Sequence, residues 1–250
     1  MSIVATEAFV LRTYSLAEAH KICVFLTRDM GKLRGVAHGA RKMKSRFGSA
    51  LEPFTQVALT FYRKEGRELV SVSTCDILYS HFHRAARDVQ TATAFSYMSE
   101  LLLEFAQDNE ANERLYRLVT ATLEALEVGR ELGWTIRYFE TWLLKLAGFF
   151  PDVNHCAICG QTIPAGQSTF IASDGTPRCM DCSEGRGLVM VPGLRETVFQ
   201  ILSVHPSAFE IKAIGPEQTA NLGEINYQII RHSLERDLRS YGLLRQLGPI

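Results

Sequence analysis

The feature that most constrains the fold of this chain is a change of hydrophobic period near residue 80. Up to Tyr79, apolar and β-branched residues alternate in short runs; beyond it they recur every three or four positions. Strand side chains alternate between two faces, whereas helix side chains return to one face every 3.6 residues, so the switch predicts a β domain followed by helices. Residues 3–13 (IVATEAFVLRT), Lys21–Thr27, Leu51–Tyr62 and the run ELVSVSTCDIL read as strands. Turn signals at Asp29-Met30-Gly31, Gly35, Gly39, Gly48, Pro53 and Glu65-Gly66 separate them. About five short strands in residues 1–80 suit a small antiparallel barrel, of the OB-fold or SH3-like kind.

Helical spacing follows over Ala85–Gln107 (Ala92, Phe95, Met98, Leu102, Phe105) and Asn112–Val128 (Leu115, Leu118, Val119, Thr122, Leu126). A third helix, about Leu132–Ala147, is apolar around much of its circumference, which predicts a central buried position; Trp134, Tyr138 and Trp142 there read as core. Gly148 and Pro151 end it. Helical signals resume over Leu194–Val204 and Glu217–Leu247. The expected architecture is α+β and multidomain: a barrel over 1–80, a helical bundle over 81–151 and 191–250, and an aperiodic insert over 152–190.

That insert holds Cys156, Cys159, Cys179 and Cys182, two C-x2-C pairs separated by nineteen residues. Two intervening residues let both thiolates of a knuckle converge on one ion, and Gly160 can supply the positive φ of the knuckle turn. The spacing predicts one structural Zn2+: four thiolates leave no coordination position for water or substrate. No His-x-Glu precedes either pair, as a zinc deaminase would require. His155 adjoins the first pair and reads as a bystander. Cys23 and Cys75 lie in apolar strand segments and read as buried small hydrophobes.

Formal net charge is zero, yet residues 1–80 carry +5 and the remainder −5. Residues 28–48, RDMGKLRGVAHGARKMKSRFG, hold seven cations and one acid among four glycines. Cations on a mobile loop can meet successive phosphates, and Phe47 offers a base-stacking surface, so Lys32, Arg34, Arg41, Lys42, Lys44, Arg46 and Phe47 are the candidate DNA contacts. The alternative is a solvated surface loop. Neither GxxxxGK[ST] nor GxGxxG occurs there, and no nucleophile elbow, HExxH or kinase signature occurs anywhere, so the chain does not read as an enzyme. Weaker signals are the His81/His83 pair and the basic residues Arg231, His232, Arg236, Arg239 and Arg245; solvated surface is the default reading for the latter. Charges interrupt residues 1–30, and no apolar run is long enough to span a bilayer, which predicts a cytosolic protein whose cysteines are not a disulfide framework.

The segments VLRTYSLAEAHKICVFLT and GKLRGVAHGARKMKSRFGSALEPF, followed by YMSELLLEF, FETWLLKLAGFFP, CAICG and CMDC, resemble in identity and order the RecO family of DNA repair and recombination mediators. The resemblance implies an N-terminal OB-fold that binds single- and double-stranded DNA, a helical bundle and a zinc module that varies within the family. It further implies strand annealing, work with RecR, an engagement with the acidic C-terminal tail of single-strand-binding protein, and assistance to RecA in replacing that protein on DNA. The expected location is the cytoplasm, with association to the nucleoid during repair. A zinc-ribbon adaptor touching nucleic acid only incidentally is the main rival, and a metal-dependent nuclease the second.

Overall fold

The computed structural model describes residues 2–205 and 215–246. Contacts divide the chain into two compact units, Met1–Arg117 and Leu118–Ile250.

In the first unit, strands β1 (Ser2–Leu16), β2 (His20–Thr27), β3 (Gly31–Ala37), β4 (Thr55–Arg63) and β5 (Val70–Ser80) close on themselves in the order β1-β2-β3-β5-β4. All pairings are antiparallel except β3 with β5, joined at Gly35↔Val70 and Val36↔Ser71. β1 is long enough to serve two neighbours: its first half pairs with β4 and its second with β2, the two overlapping at Ala8 and Phe9, with a bulge between Val10 and Arg12 just beyond. A bulge bends and twists its strand, which lets one strand turn the corner of a small barrel. Ala8, Val10, Cys23, Phe25, Leu33, Ala37, Val57, Leu59, Phe61, Val70 and Val72 fill the interior at alternate positions.

One expectation needs correcting here. Residues 31–37, expected in a mobile basic loop, form strand β3, paired with β2 and β5. Cations at its outward positions and glycines at two inward ones obscure an inward set of Leu33, Gly35 and Ala37. Gly31 also has no room for a side chain: with φ +66°, an added Cβ would stand 1.9 Å from the Glu110 carbonyl oxygen. The 107–110 segment lies along this end of β3, through Lys32 N–H to Gln107 O (3.0 Å) and Asn109 N–H to Lys32 O (2.9 Å). The strand expected over Leu51–Tyr62 begins only at Thr55; Gly48–Leu51 is a 3-10 turn.

The first expected helix is two pieces, α1 (Phe82–Ala85) and α2 (Val89–Phe105). Asp88 divides them: in extended conformation it caps α2, its carboxylate accepting from Thr91 N–H (2.8 Å), Gln90 N–H (3.3 Å) and the Thr91 hydroxyl (2.6 Å). α2 packs on β1, where the Ser99 hydroxyl donates to the Leu11 carbonyl at 2.7 Å. The compact unit therefore extends past residue 80 to include this helix. α3 (Glu113–Glu127) follows, and Tyr116 at its start lies 5.0 Å from the Phe9 ring and accepts a hydrogen bond from Gln56.

In the second unit, α4 (Leu132–Leu146) has the central position its sequence predicts. Trp134, Ile136, Phe139, Leu143 and Leu144 are buried, and α4 packs against both α6 (Pro192–Ile201) and α7 (Pro216–Leu234). It also buries Arg137 and Glu140, paired at 3.1 Å, with Asn226 of α7 donating to Glu140 (3.2 Å) and to the Thr141 hydroxyl (3.0 Å). Buried charges persist only where paired in this way. Between α4 and α6 lie the three-stranded sheet β7-β6-β8 (Thr169–Ile171 is β6, Pro177–Arg178 β7, Leu188–Met190 β8) and the single-turn α5 (Met180–Ser183). α8 spans Arg239–Gln246, so Leu247 of the expected terminal helix lies outside the described residues. Among those residues no helix is long and apolar enough to cross a membrane.

Candidate nucleic-acid interface and metal centre

The connection between β3 and β4 is held at both ends by apolar residues. Ala40 packs against the barrel core, and Phe47 is inside it, 3% exposed. Between them Arg41, Lys42, Lys44 and Arg46 are exposed, together with the fully exposed Met43. The loop is ordered by its own bonds. Arg41 donates from its backbone to Ala19 O (3.1 Å) and from its guanidinium to Ala17 O (2.7 Å), tying the loop to the β1–β2 hairpin. Gly39 N–H donates to His20 Nδ1 at 3.0 Å. Arg46 reaches the Val72 carbonyl (3.4 Å) and stacks 4.9 Å from the Phe47 ring centroid.

Of the seven expected DNA contacts, five are therefore on the surface: Arg34, Arg41, Lys42, Lys44 and Arg46. Arg34 projects from the outside of β3, 3.8 Å from Asp108. Two are not. The Lys32 ammonium is buried, donating to the Leu103 carbonyl at 2.6 Å and standing 3.6 Å from Asp108. It anchors the end of α2 to β3. Phe47 is a core residue, and its buried ring offers no face to a base.

The four cysteines come together as their spacing predicts. Their sulfur atoms all lie within 4.8 Å of one another, and among the described residues no other set of three or more metal-ligating side chains is so arranged. Thiolates about 2.3 Å from one tetrahedral ion stand about 3.8 Å apart, so the quartet fits a zinc ion with small adjustments. The first knuckle closes with Gly160 N–H on Cys156 O (2.9 Å), Gly160 adopting φ +71°, and Ala157 N–H on Pro177 O (2.8 Å). The second is the start of α5, where Ser183 N–H donates to Cys179 O at 2.9 Å. Burial raises the Cys156 thiol, but the backbone N–H groups of Cys159, Cys179 and Ile158 aimed at its sulfur outweigh it and bring the pKa down to about 6. Cys182, which donates toward Cys179 and is partly desolvated, is pushed up to about 12. A divalent cation held by all four would draw off their protons. His155 faces away from this work: its Nδ1 lies 2.7 Å from Asp152. Cys23 and Cys75 are buried in the barrel as the sequence predicts, desolvation pushing each thiol up to about 12.

Arg195 of α6 is one residue the sequence did not disclose. Nine-tenths buried, it donates to Pro164 O, Gln167 O, Ile163 O and Asn154 Oδ1 at 3.0–3.1 Å, pinning the first knuckle's chain to the bundle. Nothing in its neighbourhood in sequence marks it out, because all its acceptors lie about thirty to forty residues earlier. The weaker signals have structural ends: His81 is buried, Trp134 and Tyr138 are core, and Arg245 pairs with Glu224 at 3.2 Å.

Comparison with known proteins agrees with this layout. The family model for the N-terminal part of recombination protein O matches residues 1–81, and that for its C-terminal part matches residues 86–242. The chain belongs to the RecO family. A DNA repair protein RecO from Geobacter sulfurreducens is 32% identical over the whole of both chains, and one from an Anaeromyxobacter species is 28% identical over the whole of this chain and 99% of its own. The RecO of Koribacter versatilis is 39% identical over 158 residues, 63% of this chain and 64% of its own. RecO membership thus spans both units, barrel and helical bundle alike, and places the chain among DNA repair and recombination proteins.

Proposed function

We propose that this RecO-family protein is a non-enzymatic recombination mediator whose N-terminal barrel, an OB-fold, binds single- and double-stranded DNA through the exposed cations of the β3–β4 loop and β3. In this reading it anneals complementary strands and, together with RecR, helps load RecA onto DNA covered by single-strand-binding protein, whose C-terminal tail it engages. The protein acts in the cytoplasm and associates with the nucleoid during repair. The observation that carries the reading is the loop itself: Ala40 and Phe47 stake it to the core and leave Arg41, Lys42, Lys44 and Arg46 exposed between them. Such an array neutralises phosphates without reading sequence, which is what annealing of arbitrary strands requires. The cysteine quartet holds one structural Zn2+, closed to substrate.

The test is annealing of complementary oligonucleotides without ATP, by wild type and by the R41E/K42E/K44E variant. Wild type should anneal and the variant should not; equal rates would refute the assignment of the site. Exposed Ile158 and Met180 at the two knuckle tips favour a second reading, a zinc-ribbon adaptor for another protein. An adaptor would show no saturable binding to single-stranded DNA.

A further inference from the structure

The outer face of β1, β2 and β3 divides into three rows that the registers define. Nearest α2 is the row Arg12–Val24–Arg34, with Arg12 half-buried and Arg34 exposed. Next is Tyr14–Ile22–Val36, in which Tyr14 is 46% exposed and its partners are half-buried. None of these three belongs to the barrel core. Last is Leu16–His20, where the His20 ring meets that of His38 at 5.0 Å, edge to face, and where the loop carrying Arg41 is bonded to the hairpin. An apolar, aromatic row is therefore bordered by guanidinium groups on both sides. Paired strands are about 4.8 Å apart, so the three residues of the middle row form a surface on the scale of one or two bases.

We infer that single-stranded nucleic acid lies across this face, one base stacked on the Tyr14 ring against Ile22 and Val36, with its flanking phosphates held by Arg12 and Arg34 on one side and Arg41 on the other. The inference rests on the proposed DNA-binding function and deepens it. Charge and shape select the occupant. The bordering cations call for a polyanion, and an apolar, aromatic strip between them calls for an unpaired π-face, which every base offers and a duplex keeps inside its stack. Acids near the strip are few: Glu18 lies at the hairpin tip, Glu52 near Arg12, and Asp108 holds Arg34 only through an exposed 3.8 Å pair that a phosphate can displace. The stacking role that the sequence suggests for Phe47 passes to Tyr14. The consequence is a division of labour. The loop cations hold either form of DNA, whereas the Tyr14 row holds only unpaired bases and gives them up as strands pair, leaving the annealed product bound by the loop alone.

The test uses the full chain, fluorescence anisotropy, a labelled oligothymidylate and a labelled hairpin duplex. Tyr14→Ala should weaken oligothymidylate binding about tenfold, within the range for loss of one stacked base, and leave duplex affinity and the thermal unfolding midpoint unchanged. Tyr14→Phe, which keeps the ring, should bind both like wild type. Equal losses for both DNA forms, or no loss for either, would overturn the stacking role. R41E/K42E/K44E separates the two levels: if it retained wild-type affinity for both probes, the loop assignment itself would fall, whatever Tyr14 does.

Discussion

Salt dependence provides a quantitative test of the surface, because the number of exposed cations sets its magnitude. Each phosphate neutralised on duplex DNA releases about 0.9 of a counterion, and on a single strand about 0.7. Arg34, Arg41, Lys42, Lys44 and Arg46 are the exposed members of the basic segment, which Lys32 leaves by burial. If all five reach phosphates, the plot of log K against log salt should have a slope of about −4.5 for duplex and about −3.5 for single strands, or about −4.2 for single strands when Arg12 holds a sixth phosphate. Between 50 and 200 mM salt that slope corresponds to about a 500-fold loss of duplex affinity. Neutralising Arg41, Lys42 and Lys44 together, as Gln, should bring the duplex slope to about −1.8, while the unfolding midpoint falls only slightly, through loss of the exposed Arg41 bond to the Ala17 carbonyl. The assay is anisotropy at several salt concentrations with the anion held constant. A triple variant whose slope equals that of wild type would show that these cations face solvent rather than phosphate and would refute the reasoning. A wild-type slope far steeper than −4.5 would require a second cationic surface.

Lys32→Met should separate stability from binding in the opposite sense. Loss of the buried ammonium's bond to the Leu103 carbonyl should cost about 1–3 kcal/mol in urea denaturation and leave duplex affinity unchanged. Asp88→Ala should cost about 1 kcal/mol at neutral pH through loss of the α2 cap. Bonds from the Thr91 hydroxyl and backbone depress the Asp88 carboxyl in the folded state, so its contribution is complete above the unfolded value of about 3.9 and disappears as pH falls through the lower folded value; stability curves of wild type and variant should converge in acid. Cys179→Ser should lower metal content from about one zinc per chain and impair folding or solubility before it changes DNA affinity; the reverse order would place DNA on the knuckles.

The change of period marks the boundary between β and helical parts, and the cysteine spacing marks the quartet whose sulfurs come together, because both are local properties that sequence displays directly. What stayed hidden depends on residues distant in sequence. β3 escaped notice because its outward side carries Lys32 and Arg34 and its inward side a glycine, and only pairing with β2 and β5 shows which face is which. Lys32 and Arg34 are indistinguishable as letters. They differ because α2 and the 107–110 segment cover the first and leave the second open. Phe47 looked like a stacking ring for its position beside cations, yet its burial follows from the same cause as their exposure: one apolar residue must re-enter the barrel for the chain to continue into Gly48–Leu51. Tyr14 became visible only when the β1 bulge and the β2 register placed it beside Ile22 on the outer face.

The basic excess of the first 80 residues and the acidic excess of the rest also gain a physical meaning. The segment 152–190 contains Asp152, Asp174, Asp181 and Glu184 against Arg178 and Arg186. Both arginines already have local partners, Arg178 in Asp174 at 3.4 Å and Arg186 in Glu184. Four thiolates around a divalent ion would add a net charge of −2, so metal loading makes this segment more anionic. A phosphate backbone approaching the knuckles would meet that field with no uncommitted arginine in the segment to offset it. On the proposed reading the quartet's contribution is mechanical. With Arg195 pinning the first knuckle from α6, it would give shape to a stretch whose strands are only two or three residues long, and the proposed DNA contacts stay with the exposed cations of the barrel.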